Sequence, residues 1–222
     1  WAGRRGREAM SVGTRPGPAG PADVGARGND TGRWLALDLP WRGTDRKGQP
    51  IELRTALLND AGAWVDHLRR ITTETPWMLQ SEEDPLPTTL EQRSLLDEYA
   101  MRPGSIAILA QRPGDPTILG TLTLASGRSR RTEHCAELSM GVGKAWWGLG
   151  IGAMLMGAGL TWAARSHILR RVSLSVFQDK EIARRLYERV GFATEGVLRR
   201  YVRWTNRYED LVVMGLWLGG ER

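Results

Sequence analysis

Between Trp146 and Leu155 the chain reads WWGLGIGAML, which sets glycines at 148, 150 and 152 directly ahead of an apolar run. A glycine inside a helix costs roughly 0.5–1 kcal/mol relative to alanine. Three at alternate positions therefore mark a helix start whose backbone must stay bare. Glu137–Val142 reads as a strand just upstream, and Ile151, Leu155, Ala158 and Trp162 repeat at helical spacing just downstream. A strand, a short glycine loop and a helix restrict the chain to folds in which strands and helices alternate. Such a mouth suits a phosphate, because the first N–H groups of a helix are unpaired and its dipole is favourable there. A close helix–strand crossing that needs small residues would use the same pattern.

The segments on either side fit that class. IELRTAL (51–57) alternates like a strand, and Asp60 is placed to cap a helix running to about Ile71. TETPWMLQSEEDPLP is a loop broken by Pro76, Pro85 and Pro87. Thr88 with Glu91 then matches a capping box that opens a helix to about Met101. SIAILAQ, TILGTLTLAS and CAELSMGV read as successive strands between turn signals, and RVSLSVF as another after the glycine helix. Ile182, Leu186 and Val190 are the expected apolar stripe of a last helix ended by Gly191, followed by strands from Phe192 to about Arg203 and from about Tyr208 to Leu218. The expected architecture is α/β: a mixed, mostly antiparallel sheet of six or seven strands flanked by about four helices. Residues 1–48, rich in Gly, Pro and Arg, are expected to be a flexible extension, in which WLALDL (34–39) could add one short strand; residues 49–220 are expected to form the single domain.

Charge narrows the function classes. Residues 1–50 carry nine basic and five acidic residues, a net of +4 out of the +6 of the whole chain, so the body from residue 51 on is only +2. A nucleic-acid footprint is not expected from so even a balance. Arg128, Arg130 and Arg131 in one turn, and Arg199, Arg200 and Arg203 in one strand beside Tyr201 and Trp204, are basic clusters that would suggest it. Cys135 is the single cysteine, which leaves no intrachain disulfide, and no metal is expected. With no run long enough to span a bilayer and no secretory leader pattern, a cytoplasmic protein is expected, with no membrane partner.

Two nucleotide motifs can be tested on the glycines. A P-loop fails, since Leu138 stands where Gly143-Lys144 would need a glycine and Ala145 follows the lysine. Gly148-x-Gly150-x-x-Ala153 meets a degenerate dinucleotide fingerprint, but GKAWW separates it from the strand and only about forty residues follow Asp179. Both blocks together, CAELSMGVGKAWWGLGIGAML and VSLSVFQDKEIARRLYERVGFATEG, followed by YEDLVVM, resemble the GNAT superfamily of N-acetyltransferases over about Ile51–Leu218. The resemblance looks closest to the bacterial branch of spermidine and ribosomal-protein N-acetyltransferases. In the pattern Gln/Arg-x-x-Gly-x-Gly/Ala, Trp147 takes the polar slot ahead of Gly150 and Gly152. In Asn-x-x-Ala-x-x-Leu-Tyr-x-x-x-Gly-Phe, Lys180 takes the asparagine slot ahead of Ala183, Leu186, Tyr187, Gly191 and Phe192.

The resemblance implies the acyl-CoA N-acyltransferase fold and acetyl transfer from acetyl-coenzyme A to a primary amine within a ternary complex. It implies a coenzyme A site made by Met140, Gly141, Val142, Trp147, Gly148, Leu149, Gly150, Ile151, Gly152, Ala153, Lys180, Ala183 and Tyr187. Tyr187 is the expected acid for the departing thiolate, and a half-buried tyrosine packed beside Phe192 is the plainer alternative. Some relatives carry a glutamate base where this chain has Ser175. Glu137, on the strand face shared with Ser139 and Gly141, is the candidate in its place, with a plain strand-start carboxylate equally open. Glu74, Trp77, Glu82, Glu83 and Asp84 in the proline-broken loop are candidates for an acceptor site, one that would suit a cationic amine; a solvated loop is the alternative. Acylation of a protein N-terminus, an inactive coenzyme A-binding module and a homodimer are left open.

Overall fold

A computed structural model describes residues 27–28 and 35–219 of the chain. Most of the extension expected to be flexible therefore lies outside the described residues. A two-residue ladder joins β1 (Arg27–Gly28) to β2 (Leu35–Ala36). The rest of the order is β3 (Trp41–Thr44), β4 (Pro50–Thr55), α1 (Ala61–Glu74), α2 (Thr89–Met101), β5 (Ile106–Gln111), β6 (Ile118–Ser126), β7 (Cys135–Val142), α3 (Ile151–Arg165), β8 (Arg171–Phe177), α4 (Glu181–Arg189), β9 (Ala193–Arg203) and β10 (Tyr208–Trp217). β3 to β10 make one sheet in the order β3-β4-β5-β6-β7-β8-β10-β9. Every neighbouring pair is antiparallel except β7 and β8.

The sheet has eight strands where six or seven were expected, because the hairpin β3–β4 begins at Trp41, inside the stretch assigned to the extension. Four residues containing a glycine are too short to show a strand period. The element order is otherwise the expected one, and no helix among the described residues is long and apolar enough to cross a membrane.

Helices cover both faces, and β5 shows why. Ile106, Ile108 and Ala110 point into the cluster under α3, with Leu122, Leu155 and Leu160. Ala107 and Leu109 point the other way, to Trp64 of α1 and Leu96 of α2. A strand buried on both faces needs the continuous apolar run IAILA. α3 is the central element, with ten buried residues.

Two local expectations are corrected. Asp60 does not cap α1 with its side chain: a 3₁₀ turn over Leu58–Asp60 already puts its backbone in the helical region. Its carboxylate instead accepts from Leu57 N–H at 2.7 Å and pairs with both terminal nitrogens of Arg54. On α4, Ile182 is 87% exposed and drops out of the expected stripe, whereas Leu186 and Val190 do pack on the core beside Ala183 and Tyr187. Spacings of three and four residues put those four on one side. The capping box on α2 is as expected, with Thr88 Oγ1 accepting from Glu91 N–H at 3.2 Å and the Glu91 carboxylate accepting from Thr88 N–H at 2.8 Å.

Candidate active site

The one parallel pair in the sheet is also its opening. β7 and β8 pair only at Cys135–Arg171, Ala136–Val172 and Glu137–Ser173, and beyond them the strands splay. The glycine loop and α3 connect the two strands. From Leu138 on, β7 is paired only with β6, so the N–H and C=O groups of alternate residues face a gap with no strand to satisfy them. That gap is a cleft of about 290 Å³ lined by Glu137, Ser139, Met140, Ser175, Phe177, Lys180, Ala183 and Tyr187, with Trp77 to Gln80 closing it from the α1–α2 loop.

The glycine mouth stands at the end of β7. Gly148 and Gly150 have φ of +76° and +88°, which a residue with a Cβ adopts only at a cost of about 1–2 kcal/mol. Gly150 is the N-cap of α3 and offers no side chain to its orphan donors. The helical ladder starts with Met154 N–H to the Gly150 carbonyl at 3.0 Å, leaving the N–H groups of Ile151, Gly152 and Ala153 without an intrahelical partner. The Ile151 side chain is buried in the core, so this residue presents only its backbone. Trp147 in the polar slot turns its indole back, donating Nε1–H to the Val142 carbonyl at 2.7 Å. It pins the loop to the strand end.

A cation stands at this mouth that the sequence reading missed. In the β3–β4 turn, Asp45 accepts from Lys47 N–H at 2.8 Å and Gln49 N–H at 3.0 Å, and its second oxygen pairs with Arg112 at 2.7 Å. That locked turn sets Arg46 over the glycine loop, where its N–H donates to the Leu149 carbonyl at 3.1 Å. Its Cγ and Nε lie 3.5 Å from where a Cβ on Gly150 would be. The only signal in the sequence was TDRKGQ, a turn pattern of Asp and Gly between two short strands.

Inside the cleft, Tyr187 is buried and packs edge-on to Phe192 with ring centres 6.1 Å apart. Burial pushes its phenol up to about 12, so the hydroxyl keeps its proton throughout the neutral range. Glu137 sits at the apex, on the last paired step of the splay, and is exposed to the cleft. Lys180 lies beyond the end of β8, with Nζ 5.5 Å from the Trp77 ring centre and 5.2 Å from that of Trp147. Burial brings its ammonium down to about 8. Beneath β7, His67 of α1 is 1% exposed, and burial first, then the Arg70 charge, hold it down to about 4. Arg70 can only donate, so the 3.1 Å contact makes His67 Nδ1 an acceptor and puts the proton on Nε2.

The acidic candidates are not brought together here. Glu74 accepts from Lys144 N–H at 2.7 Å and so braces the loop after β7. Asp84 accepts from Ser81 N–H at 2.7 Å within its own turn, and Glu82 and Glu83 are exposed outside the cleft lining. Of that loop, Trp77 alone among the named residues lines the cleft. Two of the basic candidates are paired, Arg128 with Glu98 and Arg199 with Asp210. Among the described residues no group of three His, Cys, Asp or Glu side chains is placed to hold a metal ion.

Comparison with known proteins points one way. The family model described as "Acetyltransferase (GNAT) family" matches residues 68–192, more than half of the chain. The chain is 28% identical over 118 residues to the L-amino acid N-acetyltransferase AaaT of Escherichia coli K12, covering 53% of this chain and 72% of that protein. A GNAT-family acetyltransferase from Streptococcus pneumoniae superposes with a TM-score of 0.72 at 29% identity, covering 76% of this chain and 99% of that one. The yncA protein of Salmonella typhimurium, solved with its cofactor acetyl-CoA, superposes with a TM-score of 0.68 at 18% identity, covering 77% and 95%. The strand–glycine–helix mouth, the splay and the tyrosine helix all fall within the matched stretch, and the chain belongs to the GNAT family of acetyltransferases.

Proposed function

We propose that this protein moves the acetyl group of acetyl-CoA onto a primary amine by direct attack within a ternary complex. The observation that carries the reading is the splay of β7 from β8, whose cleft is lined by Tyr187, with the bare mouth of α3 following the end of β7. The donor's thioester supplies an activated acyl group when bound. The N–H groups of Ile151, Gly152 and Ala153, with Arg46 beside them, suit its phosphates. The unpaired backbone edge of β7 at Met140–Val142 suits the amides of its extended arm and donors for the oxyanion. Ala183 keeps the facing wall of the cleft low.

An alkyl ammonium has a pKa of about 10.4, so the acceptor must lose a proton before it attacks. Glu137, alone among the carboxylates in lining the cleft, is assigned that proton, taken directly or through water. Tyr187 is assigned to the leaving thiolate. A phenol near 12 facing a thiolate near the thiol reference of about 8.5 is unfavourable for full proton transfer by about 5 kcal/mol. Its role is therefore hydrogen-bond donation that stabilises the developing sulfur charge, with the proton completed from solvent.

The spermidine-like acceptor implied by the acidic loop loses its support once Glu74 and Asp84 are engaged elsewhere. A small acceptor fits better, in keeping with the relative that acetylates L-amino acids. The test is thiol release from acetyl-CoA with a panel of primary amines, matched to product mass. Acetylated product from at least one amine is expected. Binding of acetyl-CoA with no product from any amine or protein N-terminus would instead make the chain a coenzyme A-binding module.

A further inference from the structure

Lys180 is the one cation among the residues that line the cleft. Arg46 has the glycine loop beneath it, and Arg207 has the carboxylates of Asp179 and Glu209. The Lys180 ammonium has only two indole faces, Trp77 at 5.5 Å and Trp147 at 5.2 Å. Desolvation is the sole influence on its proton affinity, with no hydrogen bond and no opposing charge. Glu137, the one acid in the cleft, sits at the apex, four strand residues or about 13 Å of β8 from Phe177 at the wide end. A cation held out of water by aromatic walls, with no anion to offset it, is a receptor for one. The cage also ties the two halves of the site, since Trp147 belongs to the glycine mouth and Trp77 to the acceptor loop.

We infer that Lys180, caged by Trp77 and Trp147, is an oxyanion receptor that selects acceptors carrying a carboxylate as well as the amine. The inference rests on the acetyl-transfer reading above and adds the residue that sets acceptor choice. The oxyanion is assigned to the acceptor and not to a donor phosphate for two reasons. The bare amides of α3 and Arg46 already serve phosphates at the mouth. The other half of the cage comes from the loop whose Trp77–Gln80 stretch walls the cleft. An α-amino acid keeps its amine two bonds from its carboxyl carbon, so with the carboxylate at Lys180 the amine proton reaches Glu137 at the apex through water.

The experiment pairs each of a panel of L-amino acids with its α-carboxamide, as acceptors for the full chain with acetyl-CoA. The free acid is expected to exceed the amide in kcat/KM by roughly tenfold, the worth of one charge-assisted hydrogen bond. Lys180→Met is expected to bring the ratio near one through the KM of the acid, and Lys180→Arg to keep much of it. An equal ratio in the wild-type chain, or an unchanged one in Lys180→Met, overturns the inference. So does a Lys180→Met effect confined to the KM of acetyl-CoA, which would assign the lysine to a donor phosphate. A second readout needs no turnover. The chain has three lysines, so reductive methylation of Lys180 can be followed by peptide mass. N-acetyl amino acids, which have no free amine to consume the reagent, are expected to slow it and N-acetyl amino acid carboxamides not. Equal labelling with both overturns the receptor even in an active enzyme, whereas slowed labelling without product leaves the receptor standing and removes the acetyl-transfer reading.

Discussion

At the mouth of α3 the groups on offer are backbone N–H groups of the first helical turn, held by two left-handed glycines. Across the cleft, the α1–α2 loop presents side chains: Trp77, Met78, Leu79 and Gln80. The first region is fixed before any ligand arrives, being tied by Trp147 to Val142, by Glu74 to Lys144 and by the Asp45-locked turn that carries Arg46. The second is held by short-range turns such as Ser81–Asp84. A donor shared by a whole family can be recognised by backbone geometry, whereas acceptor choice lies in side chains that vary without disturbing the fold.

The sharpest way to break the comparison is Gly150→Val. At φ +88° a branched residue strains the N-cap and places its side chain at the amides and against Arg46. The stabilisation that acetyl-CoA gives the wild-type chain in thermal unfolding should fall by most of its size, an affinity loss of about a hundredfold or more. A full ligand-induced shift in the variant would show that the donor sits elsewhere.

His67 tests the support beneath β7. Its folded pKa of about 4 lies below the usual 6.5, so on acidification the unfolded chain takes up the proton first. Its stabilising effect is fully present above about pH 6.5 and is lost as pH falls through 4, with a limit of about 3 kcal/mol. Denaturant midpoints measured from pH 7 to pH 4 should drop by that order, and less in His67→Gln. A flat profile would mean that the ring is not held neutral.

How much of this could be read from the residues divides along the same line. Glycines ahead of an apolar helix, and the Ala183–Tyr187 spacing, are local patterns, so the mouth and the tyrosine wall were legible. Arg46 was not, because its role depends on the β3–β4 hairpin folding back about a hundred residues along the chain to reach Gly148. The acidic loop was less legible for the opposite reason. Composition counts carboxylates but cannot say that Glu74 is committed to Lys144 and Asp84 to Ser81. Ile182 misled because it keeps the spacing of Leu186 and Val190 but sits in the first turn of a nine-residue helix, where Ala183 and not Ile182 faces the core.

Smaller effects sharpen the contrast. Tyr187→Phe keeps the ring against Phe192 and should lower kcat by about tenfold, the worth of one hydrogen bond to a developing charge, with the KM for acetyl-CoA little changed. Wild-type turnover would make Tyr187 a packing residue. Arg46→Ala should weaken acetyl-CoA binding several-fold and flatten its salt dependence, as expected for one exposed cation on a phosphate. Neutralising Glu82, Glu83 and Asp84 together should change acceptor KM by less than about twofold, since exposed charges outside the cleft act only through screened fields. A large rise confined to cationic amines would restore the acidic loop to the acceptor site.

The central claim is that the donor is held by backbone amides at the mouth of α3 and not by the acceptor loop. Amide hydrogen exchange with and without acetyl-CoA addresses it most directly, because it reads those N–H groups themselves. Peptides spanning 148–154 should exchange more slowly with acetyl-CoA bound, while those spanning 77–84 should be unchanged. Protection confined to 77–84, with none at Ile151, Gly152 and Ala153, would contradict the account.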